Sequence, residues 1–286
     1  MGYSIYYKWP GNCRFISSGS NKMKRYSMRT PGELAGKLLK AGGRRVMGTI
    51  THVLTQEPVA ALTFDDGPHP EFTPRLLNIL EKYQAQATFF MIGQMAQQQP
   101  ALVRQIVQAG HTIGNHSWDH PSFPLITSHQ RRSQLRACEQ AVTPYGQKLF
   151  RPPYGHQNVA SRLDLLRLGY QVVTWNVVAY DWLDHDAAWI NHRLTSQIKP
   201  GSIILLHDAL YHALKPEYIN REAMLEAVDL LLGQLSSSFR FITVPQLLQC
   251  GRPRLQNWYK HGDLNWLNQL DGPNAVGRRY VRQDGI

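Results

Sequence analysis

The chain has 286 residues, 43% of them hydrophobic and 18% charged, which suits a soluble globular protein with a sizeable core. No apolar run approaches the ~18 residues of a membrane-spanning helix, and Met1 to Ser20 holds no apolar h-region of a secretory signal. The net charge of +11 is uneven: residues 1–50 carry ten Lys and Arg against the single Glu33, 51–250 carry fifteen against sixteen acidic residues, and the tail six against three.

This distribution divides the chain into a basic N-terminal arm (1–50), a nearly neutral body (51–250) and a C-terminal extension (251–286). A basic arm suits electrostatic attachment to anionic polymer or lipid head groups, or is simply solvated and partly disordered. No nucleic-acid partner is expected. Cys13, Cys138 and Cys250 form an odd set without short spacing, so neither a disulfide framework nor a Cys-based zinc site is indicated, and Cys138 and Cys250 are expected to be buried.

In chain order, a short helix is predicted near Gly32 to Ala41, then a regular alternation begins. Val59 to Phe64 is a short apolar run suited to a buried strand, and Pro74 to Tyr83 has apolar residues at helical spacing behind an opening Pro. Ala87 to Ile92 is a second strand, and Pro100 to Ala109 a helix closed by Gly110. His111 to Asn115 is a third strand, followed by helices over Ser128 to Val142 and Val159 to Leu168. Strands at Tyr170 to Trp175 and Ser202 to Leu206 flank a helix near Ala187 to Ile198; a long helix over Arg221 to Leu235 precedes the strand Phe239 to Thr243. Strands alternating with helices of this length point to parallel βαβ units. The leading architecture is a distorted, closed or nearly closed (β/α) barrel of about seven parallel strands, TIM-like, with a doubly wound open sheet as the alternative. The aromatic tail with Trp258, Tyr259 and Trp266 wraps the barrel or stays unassigned.

Catalytic groups of parallel α/β folds sit at the C-terminal ends of strands, and each predicted strand here is followed by a candidate: Asp65-Asp66, His116, Asp181, His207. Two adjacent carboxylates repel, so the pair requires a cation or a division of labour, although Asp-Asp-Gly-Pro is also a good turn. His116 and His120, at i and i+4, are predicted to share one face of a helical turn, a spacing suited to one metal ion. With a carboxylate from another strand end they form a two-His, one-carboxylate site that fits Zn²⁺ or another late divalent ion.

Five ordered motifs carry a family resemblance: Thr63-Phe-Asp-Asp-Gly-Pro68, His116-Ser-Trp-Asp-His120, Arg151-Pro-Pro-Tyr-Gly155, Asp181-Trp182 and Leu205-Leu-His-Asp208. Together they resemble the polysaccharide deacetylases with the NodB homology domain, carbohydrate esterase family four, over about residues 59–248. The resemblance implies a distorted barrel and an enzyme that removes N-acetyl groups from N-acetylglucosamine-containing glycans, releasing acetate. It implies Asp66, His116 and His120 as ligands of one divalent metal, zinc first and cobalt or nickel next. Asp65 would be the general base, kept ionised by Arg151, and the Tyr154 backbone N–H would hold the oxyanion of the tetrahedral intermediate. His207 would protonate the departing amine with Asp181 orienting it, and Trp182 and Leu205 would shape the pocket for the acetyl methyl group.

The fourth motif often reads Asp-x-x-Asp-Trp; Val178 stands at its first Asp position, which implies altered loop support rather than lost chemistry. His69 is expected in the turn after Pro68, His185 and Asp186 at a helix start, and Asp119 facing solvent. Two further readings are an O-acetyl esterase on xylan-like polymers and a catalytically silent glycan-binding module, the latter opposed by retention of the whole polar set. The compartment is left open, since the chain as given reads as cytoplasmic whereas members of the family often act in the cell envelope or outside the cell; the oligomeric state is left open as well.

Overall fold

Parallel strands covered on both faces must be apolar on both faces, and the strand β2 (Val59–Asp65), buried at every residue, is the axis on which the architecture is built. The computed structural model describes residues 47–262 together with Leu267 and Gln269. The short helix expected near Gly32 to Ala41 lies outside these residues, as do Cys13 and Trp266.

Strands β1 (Thr49–Leu54), β2, β3 (Ala87–Met91), β4 (Thr112–Asn115), β5 (Gly146–Phe150), β6 (Gln171–Val172), β7 (Val177–Val178), β8 (Ile203–His207), β9 (Arg240–Phe241) and β10 (Arg252–Gln256) occur in this order. Helices α1 (Phe72–Lys82), α2 (Gly93–Gln98), α3 (Pro100–Gln108), α4 (Ser128–Ala141), α5 (Val159–Arg167), α6 (Ala187–Thr195), α7 (Glu222–Leu235) and α8 (Val244–Leu247) connect them. The main sheet runs β6-β5-β4-β3-β2-β8-β7, all neighbours parallel, with β9 added to the first residues of β2. This is the curled parallel sheet of the expected (β/α) barrel. Antiparallel β1 and β10 form a separate two-stranded sheet, so the first part of the expected C-terminal extension pairs with the start of the body. β1 also links the two sides of the curl, through a parallel bridge from Ile50 to Val173 and an antiparallel one from His52 to Ser202.

Strand alternation sorts the core into layers. Ala60, Leu62 and Phe64 face outward into the layer shared with α1 and α7, together with Ile204 and Leu206 of β8. Val59, Ala61 and Ile203 face inward, against Ile50, Val53, Phe90, Leu149 and Val173. The same inward rows continue upward into Thr63 and Asp65 on β2 and into Leu205 and His207 on β8, so the pleat itself carries polar groups from the apolar floor into the mouth.

Four strands were not legible in the sequence. β5 is exposed at three of its five residues, β7 has two residues, and β1 and β10 show none of the bounded apolar runs that mark a buried strand. The predicted strand Tyr170 to Trp175 is laddered only at Gln171–Val172 and bridged at Val173. Cys138 is buried as expected, whereas Cys250 is only partly buried. No helix among the described residues is long and apolar enough to cross a membrane.

Gly201 occupies the left-handed region at φ 82°, and a Cβ there would run into the Val53 carbonyl. Its own carbonyl accepts the Val53 N–H at 2.9 Å, fixing β1 to the barrel. Replacement Gly201→Ala is expected to destabilise the fold by ~2 kcal/mol or more, read as a lowered urea midpoint; an unchanged midpoint would show that β1 is not anchored there.

Candidate active site

The strand register brings the chemistry-bearing residues to one mouth. Asp65 lies level with His207 of β8 and Phe90 of β3, and Asp66 leaves the strand with φ 74°. Both carboxylates are buried.

The segment from His116 to His120 is not the helical turn that the spacing predicts. Ser117 and His120 have φ of 72° and 59°, values an α-helix cannot contain. Side chains take the amide protons that helix carbonyls would otherwise accept. Asn115 Oδ1 receives the Ser117 N–H at 2.8 Å, Ser117 Oγ that of His120 at 3.1 Å, and Gln134 Oε1 those of Trp118 and Asp119 at 2.9 and 3.1 Å. Asp119, expected to face solvent, is buried and accepts from Gln134 Nε2 at 2.7 Å.

The imidazoles converge all the same. His116 Nε2 and His120 Nε2 are 3.2 Å apart, and Asp66 Oδ1 lies 3.4 and 3.3 Å from them. His116 Nδ1 sits 2.7 Å from the Arg151 carbonyl, which can only accept, so in the neutral ring Nδ1 carries the proton and Nε2 presents its lone pair to the cluster. Asp66 Oδ2 accepts the Tyr211 N–H at 3.0 Å, whereas Oδ1 is buried without a hydrogen-bond partner. Burial pushes the Asp66 carboxyl up, but His120, His116 and His207 outweigh it and hold it well below the usual carboxylate range.

Arg151 is fully buried, and its guanidinium donates to two stretches of chain, β2 and the residues after β6. Nη1 donates to Asp65 Oδ1 and to Thr63 Oγ1, both at 2.7 Å; Nη2 and Nε donate to the carbonyls of Thr174 and Val173 at 3.0 and 3.3 Å. Its guanidinium carbon lies 4.2 Å from the centre of the Phe90 ring. Asp65 Oδ2 is turned toward the histidines, 3.8 Å from His116 Nε2.

His207 faces the cluster from the opposite side. Its Nδ1 lies 3.1 Å from Asp181 Oδ1, and its backbone N–H donates to Asp181 Oδ2 at 2.9 Å. Burial lowers the pKa of this imidazole, but Asp181, then Asp66 and Asp65, overcome that and raise it. Trp182 meets the His207 ring edge-on at 5.3 Å, and Leu205 is buried on the inward row of β8. Tyr154, at φ 58°, sets its ring 4.4 Å from His120. All the residues named as site candidates from the sequence therefore border one region.

Several residues at this mouth carried no role in the sequence reading. Thr63 stands in the first motif, and its Arg151 contact follows from its inward register. Asp208, in the last motif, accepts from Thr73 Oγ1 and packs against Gly67; burial pushes its carboxyl up to about 7. Arg221 Nη1 donates to the Asp181 carbonyl at 2.8 Å and lies 3.6 Å from its carboxylate. His212 stands 5.8 Å from the His120 ring. Arg221 and His212 belong to no motif, and only the folded chain brings them here.

A parallel (β/α) barrel whose polar groups converge at the C-terminal strand ends defines a class of barrel enzyme. Residues 52–173 match the model of the polysaccharide deacetylase family. A peptidoglycan-N-acetylglucosamine deacetylase of Bacillus cereus is 34% identical over 202 residues, 69% of this chain and 91% of that one. A chitooligosaccharide deacetylase of Azorhizobium caulinodans is 34% identical over 167 residues, 57% and 80% of the two chains. The structure of a peptidoglycan deacetylase from Bacillus subtilis superposes with a TM-score of 0.61 at 32% identity, covering 68% of this chain and 92% of that one. The chain belongs to the polysaccharide deacetylase family. It is a hydrolase of carbon–nitrogen bonds other than peptide bonds.

Removing one partner of a buried ion pair leaves an uncompensated charge, which costs about 3–5 kcal/mol. Arg151→Met is expected to destabilise the protein by about that amount in urea titration. Asp65→Asn in the same chain is expected to restore part of the loss; strictly additive effects would show that the two groups are not coupled.

Proposed function

We propose that the chain removes N-acetyl groups from N-acetylglucosamine units of peptidoglycan or chitin-like oligomers. The observation that carries this reading is the flanking of the Asp66–His116–His120 cluster by two opposed pairs, Arg151–Asp65 and Asp181–His207. The cluster fits a divalent ion: three ligand atoms lie within 4.8 Å of one another, and Asp66 Oδ1 is a buried carboxylate oxygen without a hydrogen-bond partner. Two imidazoles and one carboxylate suit zinc, with cobalt or nickel as alternatives. An ion bound there supplies Lewis acidity toward the acetyl carbonyl and the attacking water.

The rest of the chemistry belongs to the chain. Asp65, with one oxygen held by Arg151 and the other facing the cluster, accepts the proton of the attacking water. The Tyr154 N–H steadies the negative charge that develops on the acetyl oxygen. His207, whose protonated form Asp181 favours, donates to the departing amine, while Leu205 and Trp182 enclose the methyl group. Equipment for protonating a poor leaving group favours an amide over an ester as the natural substrate.

Acetate release from chitin oligomers, peptidoglycan fragments and acetylated xylan tests the substrate class. Acetate from xylan alone would overturn the N-deacetylase reading.

The two neighbouring aspartates should separate by metal content. Asp65→Asn is expected to lower turnover by about 10²- to 10⁴-fold with bound zinc retained, and Asp66→Asn to lose zinc, each read by elemental analysis beside activity. The reverse pattern would exchange the two roles.

A pH profile tests the acid. His207 must be protonated to act and its pKa is raised, so activity is present below that pKa and falls as pH rises through it. Asp181→Asn removes the largest of the raising influences, so the alkaline limb should move to lower pH. A stationary limb would remove His207 from the acid role.

A further inference from the structure

The loop that carries Tyr154 is held by a strap of chain that follows β10, beyond all five sequence motifs. Trp258 Nε1 donates to the Gly155 carbonyl at 2.9 Å. Two residues on, Gln157 and Lys260 exchange both backbone hydrogen bonds, at 3.0 and 3.2 Å. Gln157 Nε2 also donates to Thr49 Oγ1 at 2.6 Å and to the Trp258 carbonyl. The strap thus ties residues 155–157 to β1 and β10 at once.

Gly155 shows how closely the parts fit. It lies at φ 69°, and a Cβ there would stand 3.1 Å from Trp175 Cη2 and 3.5 Å from Trp258 Nε1. The two indoles meet edge to face at 5.4 Å and 68°, and the Arg151 guanidinium lies 5.6 Å from the Trp175 ring. Trp258 therefore touches the catalytic region along two routes: directly at the carbonyl of Gly155, the residue after Tyr154, and through Trp175 at the arginine that holds Asp65. A left-handed residue such as Tyr154 costs of order 1–3 kcal/mol and persists only where its surroundings hold it.

We propose that Trp258 is a positioning residue for deacetylation, fixing the Tyr154–Gly155 segment so that the Tyr154 N–H keeps its aim at the reacting carbonyl. This rests on the role given to Tyr154 in the proposed function. A group displaced by about 1 Å can cost about 10²-fold in rate without touching substrate.

The test uses the full chain and whichever soluble oligomer, of chitin or of peptidoglycan, releases acetate with the unmodified protein. Trp258→Phe keeps a ring against Trp175 but drops the N–H to Gly155; Trp258→Ala removes both. Expected are kcat losses of about tenfold and about 10²-fold, with KM within about twofold, the alkaline pH limb in place and bound zinc unchanged. Ile106→Ala is the control, since Ile106 is buried on α3 in the outer core layer, a different cluster from the one Trp175 packs against; it should lower Tm and leave kcat alone. If Trp258→Ala lowered Tm like the control while kcat stayed within about twofold, the strap would be a fold staple only and the proposal would fail. Loss of zinc or a shifted pH limb would equally overturn it, by moving the effect to another group. Should Trp258→Ala not fold, Trp258→Phe decides alone. Failure of the underlying reading is distinct: it shows as full activity in Asp65→Asn and His207→Ala, whatever Trp258 does.

Discussion

A guanidinium with no exposure to water must find partners for its donors, and Arg151 finds them on two separate pieces of chain. It pairs with Asp65 and Thr63 of β2 and with the carbonyls that follow β6, while its own carbonyl receives His116 Nδ1. Burial lowers the pKa of this arginine, and the Asp65 charge works against that. One residue therefore joins the side that would take a proton to the side that would hold a metal. The Arg151 side chain meets Asp65 as a charge and its backbone carbonyl meets His116 as an acceptor, although Asp65 and His116 do not share a strand.

Around that centre the backbone is bent out of regular structure. Asp66, Ser117, His120, Tyr154 and Tyr180 all have φ between 56° and 74°, a region costly to residues with side chains. The cost is met by local acceptors at Ser117 and His120, by the Tyr211 N–H on Asp66, and by the Trp258 strap beside Tyr154. Such turns let side chains from successive residues point in directions no helix or strand allows. Asp65 and Asp66 are the plainest case: consecutive carboxylates, one held by Arg151 and the other turned to two imidazoles.

The opposite wall follows another logic. Asp181 lies on a loop after β7, a strand of two residues, and is kept in place by His207 from one side and Arg221 from the other. The Asp181 carboxylate raises the pKa of His207, while Arg221 anchors the backbone of the same loop through the Asp181 carbonyl. Val178, at the first Asp position of the fourth motif, lies within β7, and Arg221, just before α7, reaches the Asp181 loop from outside that strand.

The sequence by itself determined the alternation of strand and helix, hence the parallel barrel, because buried parallel strands must be continuously apolar and helices must repeat at their own period. It also determined which residue types stand at the strand ends, and five ordered motifs sufficed to place the chain in its family. Strands exposed on one side or only two residues long, such as β5 and β7, left no such trace. The spacing of His116 and His120 was legible, but its helical reading was wrong, since amide acceptors from Asn115, Ser117 and Gln134 replace the helix carbonyls there. Thr63, Asp208, Arg221 and Trp258 acquire their contacts only in the folded chain, where partners tens to more than a hundred residues apart meet. Side-chain type and local period are properties of short stretches of chain, whereas a buried charge finds its partner by the path of the whole chain, and that path exists only in the tertiary structure.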